Sequence, residues 1–369
     1  MIARVARTRR PTGLHTRYEQ KLAVLGNRSD WFWLALLAVA IVATPFALED
    51  FWLSVLTFTA ISAIAAIGLN LLTGFTGQVS LGHAFFLGLG AYTAAYLGGD
   101  LGLSVLIWLP AAGILGALAG VVIGPFALRL KGLYLAIVTL GLVFLGDYLF
   151  SNLRAITGGP QGRAIPSPRI GTLNFADLAG TFDLPLGREQ SFFLFVVPLL
   201  ALAIVAAKNV ARSRPGRAFQ AIRDREIAAS IIGVDVARYK IAAFALSSFY
   251  AAAAGALLGS YLRHVTPGSF DLFVSVQFVA MIIVGGVGTV YGSVFGALFI
   301  VLIPRVVERI SPLLPFVDPS GSGSGVTVFT LNQLIFGLLI VVFLVAEPTG
   351  LAGLWARLRL YFRTWPFSY

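Results

Sequence analysis

GLNLLTGFTGQVSLGHAFFLGLG, residues 68–90, is the stretch on which the fold turns. Glycines stand at 68, 74, 77, 82, 88 and 90, and each costs a helix interior roughly 1 kcal/mol against alanine. The surroundings are apolar, yet Asn70, Thr73, Thr76, Gln78, Ser80 and His83 fall inside the run. Irregular backbone at membrane depth survives only where protein or a water-filled cavity covers it. Two readings follow. The segment is a discontinuous helix lining a polar path, or its small residues let neighbouring helices approach closely.

The pattern recurs in MIIVGGVGTVYGSVFGALF, residues 281–299, with Gly285, Gly286, Gly288, Gly292 and Gly296 beside Thr289 and Ser293. Paired glycine-interrupted segments in two halves are a pointer to a transporter's central site. Asn70, Thr73, Gln78, Ser80, His83, Gly285, Gly286, Thr289 and Ser293 are therefore the candidate path residues. His83 reads either as a ligand or proton carrier, or as a hydrogen-bonded packing residue.

Working outward, the chain of 369 residues is 58% hydrophobic and 12% charged, about half the charge of a soluble domain. A crossing helix needs about 20 apolar residues. Such runs occupy 31–48, 52–72, 83–98, 104–128, 133–150, 191–207, 240–262, 272–288, 290–304 and 330–346. The expected fold is an all-α polytopic membrane protein of about ten transmembrane helices, some discontinuous. Residues 1–30 read as a basic cytoplasmic tail, 31–346 as the membrane domain and 347–369 as a cytoplasmic C-terminal tail. With both termini inside, the inner segments carry 20 of the 27 Lys and Arg, while the outer side has 10 of the 16 acids, counting Asp147 near the outer end of the 133–150 run. That is the positive-inside bias. It makes 151–190 and 305–329 outer loops, the first holding the turn-former TGGPQGRAIPSP and the second a flexible PSGSGSG tip. Residues 208–239 become a cytoplasmic loop. The positive net charge then reports topology, with no nucleic-acid partner implied.

Other chemistries are excluded. There is no cysteine, so neither disulfides nor thiolate metal sites form. His15, His83 and His264 are scattered, unlike a metal set. No catalytic constellation suggests an enzyme. Asp147 is the one acid clearly within an expected span, where a proton-coupled transporter would show a relay. None of Lys21, Lys131, Lys208 and Lys240 precedes Ser or Thr, so the chain has no P-loop. Driven transport would need a separate energy source. An ATP-independent channel or a secondary transporter stays open as an alternative.

The cytoplasmic stretch GRAFQAIRDREIAASIIGVD, residues 216–235, is the other anomaly. Ala218, Phe219, Ile222 and Ala229 share one helical face, and Arg217, Gln220, Arg223, Asp224 and Arg225 cover much of the rest. Gly233 marks a helix stop. Such a helix either lies on anionic lipid with its basic side down or docks through Phe219 and Ile222 into a groove on a soluble partner.

Several motifs together resemble one family. They are residues 68–97, LKGLYLAIVTLG (130–141), TGGPQG (157–162), 216–257 and VGGVGTVYGSVFGA (284–297). The chain resembles permease subunits of ABC importers for branched-chain amino acids, of the LivM type, from about residue 52 to 346. The resemblance implies a permease fold of the type II ABC importer kind in the bacterial inner membrane. It also implies a second, LivH-type permease, two cytoplasmic ATPases that bind ATP and Mg, and a periplasmic or lipid-anchored binding protein. This chain would hold no cofactor of its own. Related permeases serve urea or short amides, so the substrate stays open. The family's coupling segment carries a Glu-Ala-Ala-x-x-x-Gly pattern. Ala228, Ala229 and Gly233 match it, whereas Ile227 stands at the acidic position and Glu226 comes one residue early. Arg217, Phe219, Ile222, Arg223, Asp224, Glu226, Ala228, Ala229 and Gly233 are the candidate coupling residues.

Overall fold

The computed structural model describes residues 28–130, 132–171, 173–178, 186–310, 317–318, 326–347 and 349–364. The basic stretch 1–27 and the PSGSGSG tip lie outside them. The chain divides into two units, residues 1–47 and 48–369. The described part of the first is a single helix, α1, Arg28–Ala47, with Pro45 in its last turn.

The second unit is helical nearly throughout. Its long elements are α2 (Asp50–Thr76), α3 (His83–Ala94), α4 (Val105–Arg129), α5 (Leu133–Asn152), the short α6 (Arg154–Thr157) and α7 (Arg188–Arg212). Then come α8 (Arg214–Asp224), α9 (Glu226–Ile231), α10 (Val236–Leu262), α11 (Leu272–Gly285), α12 (Val290–Ile310), α13 (Val328–Ala346) and α14 (Gly350–Thr364). Among the described residues, seven helical stretches are long and apolar enough to cross a membrane. The count of about ten expected from apolar runs is not confirmed by this criterion; the other three runs are also helical, as α1, α3 and α13. α3 falls short because it starts only at His83 and gives way after Ala94 to a π-helical turn, Ala95–Asp100.

α2 and α10 form the core. α2 is apolar or small on every side (AISAIAAIG), and Ala60 to Leu72 are buried all round, as befits a helix inside a bundle. α10 packs on α2, α3 and α4, and its AAAAGALLG run makes the contact intimate. A Cβ at Gly255 would stand 2.0 Å from the Leu87 carbonyl oxygen, and one at Gly90 only 1.8 Å from that of Ala252. No residue but glycine fits either position without moving a backbone.

One face is closed by short strand pairs. Residues 163–164 (β1) pair antiparallel with 264–265 (β4), so the TGGPQG turn is tied to the end of α10. Arg163 forms an ion pair with Asp100 beside it. Residues 169–170 (β2) and 173–174 (β3) make a hairpin. The 347–369 stretch expected as a tail contains an ordered helix, α14, against α11 and α12.

Candidate functional site

The two glycine-rich segments are both breaks between helices, and they sit against the same end of α2. α2 stops at Thr76 because Gly77 takes a left-handed conformation, φ 72°, and its amide returns to the Leu72 and Thr73 carbonyls; this is the usual glycine helix stop. The chain then turns back alongside α2. Thr73 Oγ1 donates to the Gln78 carbonyl at 3.0 Å, the Leu81 amide donates to Thr139 Oγ1 at 2.9 Å, and His83 Nε2 reaches the Ala65 carbonyl at 3.1 Å. Ala65 lies about three turns before the end of α2, so α3 starts deep in the bundle and is a discontinuous helix. Its first free amides find partners there. Ala84 N–H donates to Ser275 Oγ of α11 at 3.0 Å, and the His83 ring lies 5.1 Å from that of Phe278.

The second break, residues 286–289, is held by one side chain of α2. Asn70 Nδ2 donates to the Thr289 carbonyl at 2.8 Å and to Ser293 Oγ at 2.8 Å, with a longer contact of 3.4 Å to the Gly286 carbonyl. The Gly288 amide donates to Asn70 Oδ1 at 2.8 Å. Both donors of the buried amide and its oxygen are thus partnered. The approach needs Gly74, where a Cβ would stand 2.4 Å from the Gly288 nitrogen. Gly285 and Gly296 let α11 and α12 touch, a Cβ at Gly285 being 1.9 Å from the Gly292 carbonyl oxygen.

The nine candidate path residues therefore do come together, in two groups. Thr73, Gln78, Ser80 and His83 surround the first break, and Asn70, Gly285, Gly286, Thr289 and Ser293 surround the second. Most are buried, and their polar atoms bond largely to one another and to the backbone. In this arrangement they brace the breaks. Gln78 is the exception: Nε2 bonds to Thr76 and to the Lys240 carbonyl, while its buried Oε1 has no partner. It borders a polar cavity of about 220 Å³ that Arg223, Glu226 and Lys240 also line.

That cavity joins the breaks to the 216–235 segment. α8 follows α7 after an extended Ser213 and packs on α2, α7 and α10. Here the structure corrects an expectation. Phe219 and Ile222 are only 2% and 4% exposed, and the Phe219 ring stands edge-on to Tyr239 of α10 at 6.2 Å. An amphipathic pattern reveals an apolar face without saying what covers it; this one is covered by the chain itself, so neither side chain is available to a partner. Arg217 and Asp224 are exposed. Arg223 reaches back so that Nη1 donates to the Gly74 carbonyl at 2.6 Å, and a Cβ at Gly288 would stand 2.7 Å from the same nitrogen. One guanidinium thus touches the end of α2 and the second break together.

α9 is fastened at its start by Glu226, which pairs with the buried Lys240 Nζ at 2.8 Å, and along its inner side by Ala229, 2% exposed. Glu226 therefore faces inward. Ala228 and Gly233 are exposed. So are Ile227, Ile231 and Ile232, at 74%, 79% and 75%, large aliphatic side chains on the short α9 and at its end. Sequence reasoning passed over these three, although an Ile-Ile pair before a glycine in a basic loop was a usable signal. It also passed over Lys240, Thr139 and Ser275. Among the described residues no group of three or more His, Asp or Glu could hold a metal ion.

The model of a family described as branched-chain amino acid transport system / permease component matches residues 51–344. The chain is 33% identical to the high-affinity branched-chain amino acid transport system permease protein LivM of Escherichia coli, over 87% of this chain and 74% of that one. It is 26% identical to the corresponding LivH protein of Salmonella typhimurium, over 79% and 91%. It is also 26% identical to the ribose import permease protein RbsC of Haemophilus influenzae, over 75% and 83%. No solved structure matches.

Proposed function

This chain belongs to the branched-chain amino acid transport system permease family, and from that premise we propose that it is one of two permeases of an importer powered by ATPase subunits. The second would be a LivH-type chain. Two cytoplasmic ATPases would supply ATP and Mg chemistry, and a periplasmic or lipid-anchored protein would deliver the substrate. Branched-chain amino acids are the substrate class that the names of the LivM and LivH relatives favour. The excess of Lys and Arg at 1–30, 208–240 and 347–369 supports cytoplasmic termini in a bacterial inner membrane.

The observation that carries this reading is the surface of α9. Three isoleucines exposed to water cost a soluble loop about 1.5–3 kcal/mol each relative to burial, and a groove on a partner removes that cost. Their helix is rooted by Glu226–Lys240 and by Ala229, so a push on Ile227, Ile231 and Ile232 acts on a rigid body. Arg223, next to that root, touches Gly74 and the 286–289 break. ATP-driven movement of the partner would thereby reach both helix breaks. The path itself would form when the second permease is present, around the residues near Gln78 and the two breaks. None of the nine candidate path residues carries a carboxylate, ammonium or guanidinium to pair with an amino acid, so selectivity would rest largely with the binding protein.

Replacing Ile231 and Ile232 by Asp tests the docking reading. Both point outward, so membrane insertion and folding are expected to be normal while co-purification of the ATPase is lost. Normal ATPase association in this variant would overturn the reading and favour a lipid-facing α9.

A further inference from the structure

The C-terminal helix α14 makes a second feature that the transport reading leaves unused. Leu354, Trp355, Leu358, Tyr361 and Phe362 follow one another at helical spacing and are 40%, 59%, 53%, 52% and 74% exposed. This is too large an apolar stripe for water to be its ordinary neighbour. Its upper edge borders a cavity of about 270 Å³, walled on one side by Phe295, Leu298, Phe299 and Leu302 of α12 and on the other by Leu354 and Leu358. Those α12 residues belong to a helix long and apolar enough to cross a membrane, and from Phe295 to Leu302 it rises about 10 Å. The cavity thus climbs a membrane-spanning flank, where a soluble partner does not reach.

A second cavity, about 390 Å³, continues from the first past Phe295 and Trp355, and it is lined by Thr289, Tyr291 and Arg359. Charge there is of one sign. Arg359 has no hydrogen-bond or ion-pair partner among the described residues, Lys208 Nζ lies 3.9 Å over the Tyr291 ring, and no acid lines either cavity. The nearby Glu347 is already paired with Arg357 at 2.8 Å. An apolar slot opening onto a basic mouth, beside an exposed aromatic stripe, is complementary to a molecule with a hydrocarbon tail and an anionic head.

We propose that the groove between α12 and α14 is a binding site for an anionic phospholipid, with an acyl chain between Phe299 and Leu358 and the phosphate at Arg359. The lipid belongs to the leaflet on the side of α8, since α14 leaves from Gly350, which packs on Gly286 next to the Arg223 contact. The site is independent of which substrate the chain transports.

The test is native mass spectrometry of the full chain with equimolar dioleoylphosphatidylglycerol and dioleoylphosphatidylethanolamine. The wild type is expected to retain the anionic lipid preferentially. Arg359→Gln, on the surface, should lower that preference about fivefold, the weight of one basic side chain at an anionic surface, while leaving retained lipid in place. Leu358→Glu should remove the retained lipid itself. Equal retention of the two lipids by the wild type would overturn the proposal, as would an unchanged preference in Arg359→Gln. Loss of ATPase co-purification in Leu358→Glu with unchanged lipid retention would also overturn it, assigning the stripe to the ATPase.

Discussion

Replacing Asn70 by alanine is the most demanding test of how the breaks are held. The side chain makes three contacts of 2.8 Å and one of 3.4 Å to the 286–293 region. Interhelical hydrogen bonds within membranes average about 0.6 kcal/mol and reach about 1.7. An unsatisfied buried donor adds about 1–3 kcal/mol, and Asn70→Ala orphans the Gly288 amide. The expected loss is about 2–5 kcal/mol, read as a fall in the unfolding free energy of the purified chain in mild detergent. Ser293→Ala removes only one of the four contacts and should cost about 1 kcal/mol. The two changes should couple by about 0.6–1.7 kcal/mol in a double-mutant cycle. A cost for Asn70→Ala below about 0.5 kcal/mol, or a strictly additive cycle, would refute the idea that this amide organises the second break.

Three further outcomes follow from the geometry. Gly90→Val drives a side chain into the Ala252 carbonyl and should destabilise by about 1–3 kcal/mol or more, whereas Gly141→Ala, with nothing within 4 Å of the added carbon, should be neutral or stabilising in the same unfolding assay. Glu226→Ala leaves Lys240 buried without its partner and should cost about 3–5 kcal/mol; Glu226→Ala with Lys240→Met should recover most of it, and no recovery would mean the pair is not the fastening. Arg223→Ala should leave assembly with the ATPase intact yet uncouple ATP hydrolysis from uptake, measured as the ratio of the two rates in reconstituted vesicles; an unchanged ratio would remove Arg223 from the transmission route.

Much of the fold was legible because membrane helices announce themselves as apolar runs, and each of the ten runs is helical here. The glycine-rich stretches at 68–90 and 281–299 were legible as breaks or as close helix contacts, and both occur: Gly77 and Gly286 stand at breaks, while Gly90 and Gly285 let helices touch. What could not be read was depth and partnership. Nothing in HAFFLGLG says that α3 begins beside Ala65, because that position depends on Thr139 and Ser275 reaching it from helices far away in sequence. The periodicity of GRAFQAIRD showed an apolar face and left its cover unknown, so Phe219 and Ile222 read as docking residues when they are anchors. The basic, aromatic run from Trp355 to Phe362 carried a helical period that composition alone disguised as a tail.

The division of labour within residues 216–235 has a consequence for how such chains diverge. Phe219, Ile222, Glu226 and Ala229 answer to the permease's own interior, while Ile227, Ile231 and Ile232 answer to nothing in it. Two sets of side chains that share no member accumulate change on separate clocks. The inner set is constrained by a fixed cavity within one polypeptide, and the outer one drifts only in step with whatever meets it. Under the docking proposed above, re-targeting the permease to a foreign ATPase would require rewriting these three surface positions, with the Glu226–Lys240 fastening beneath them left as it stands.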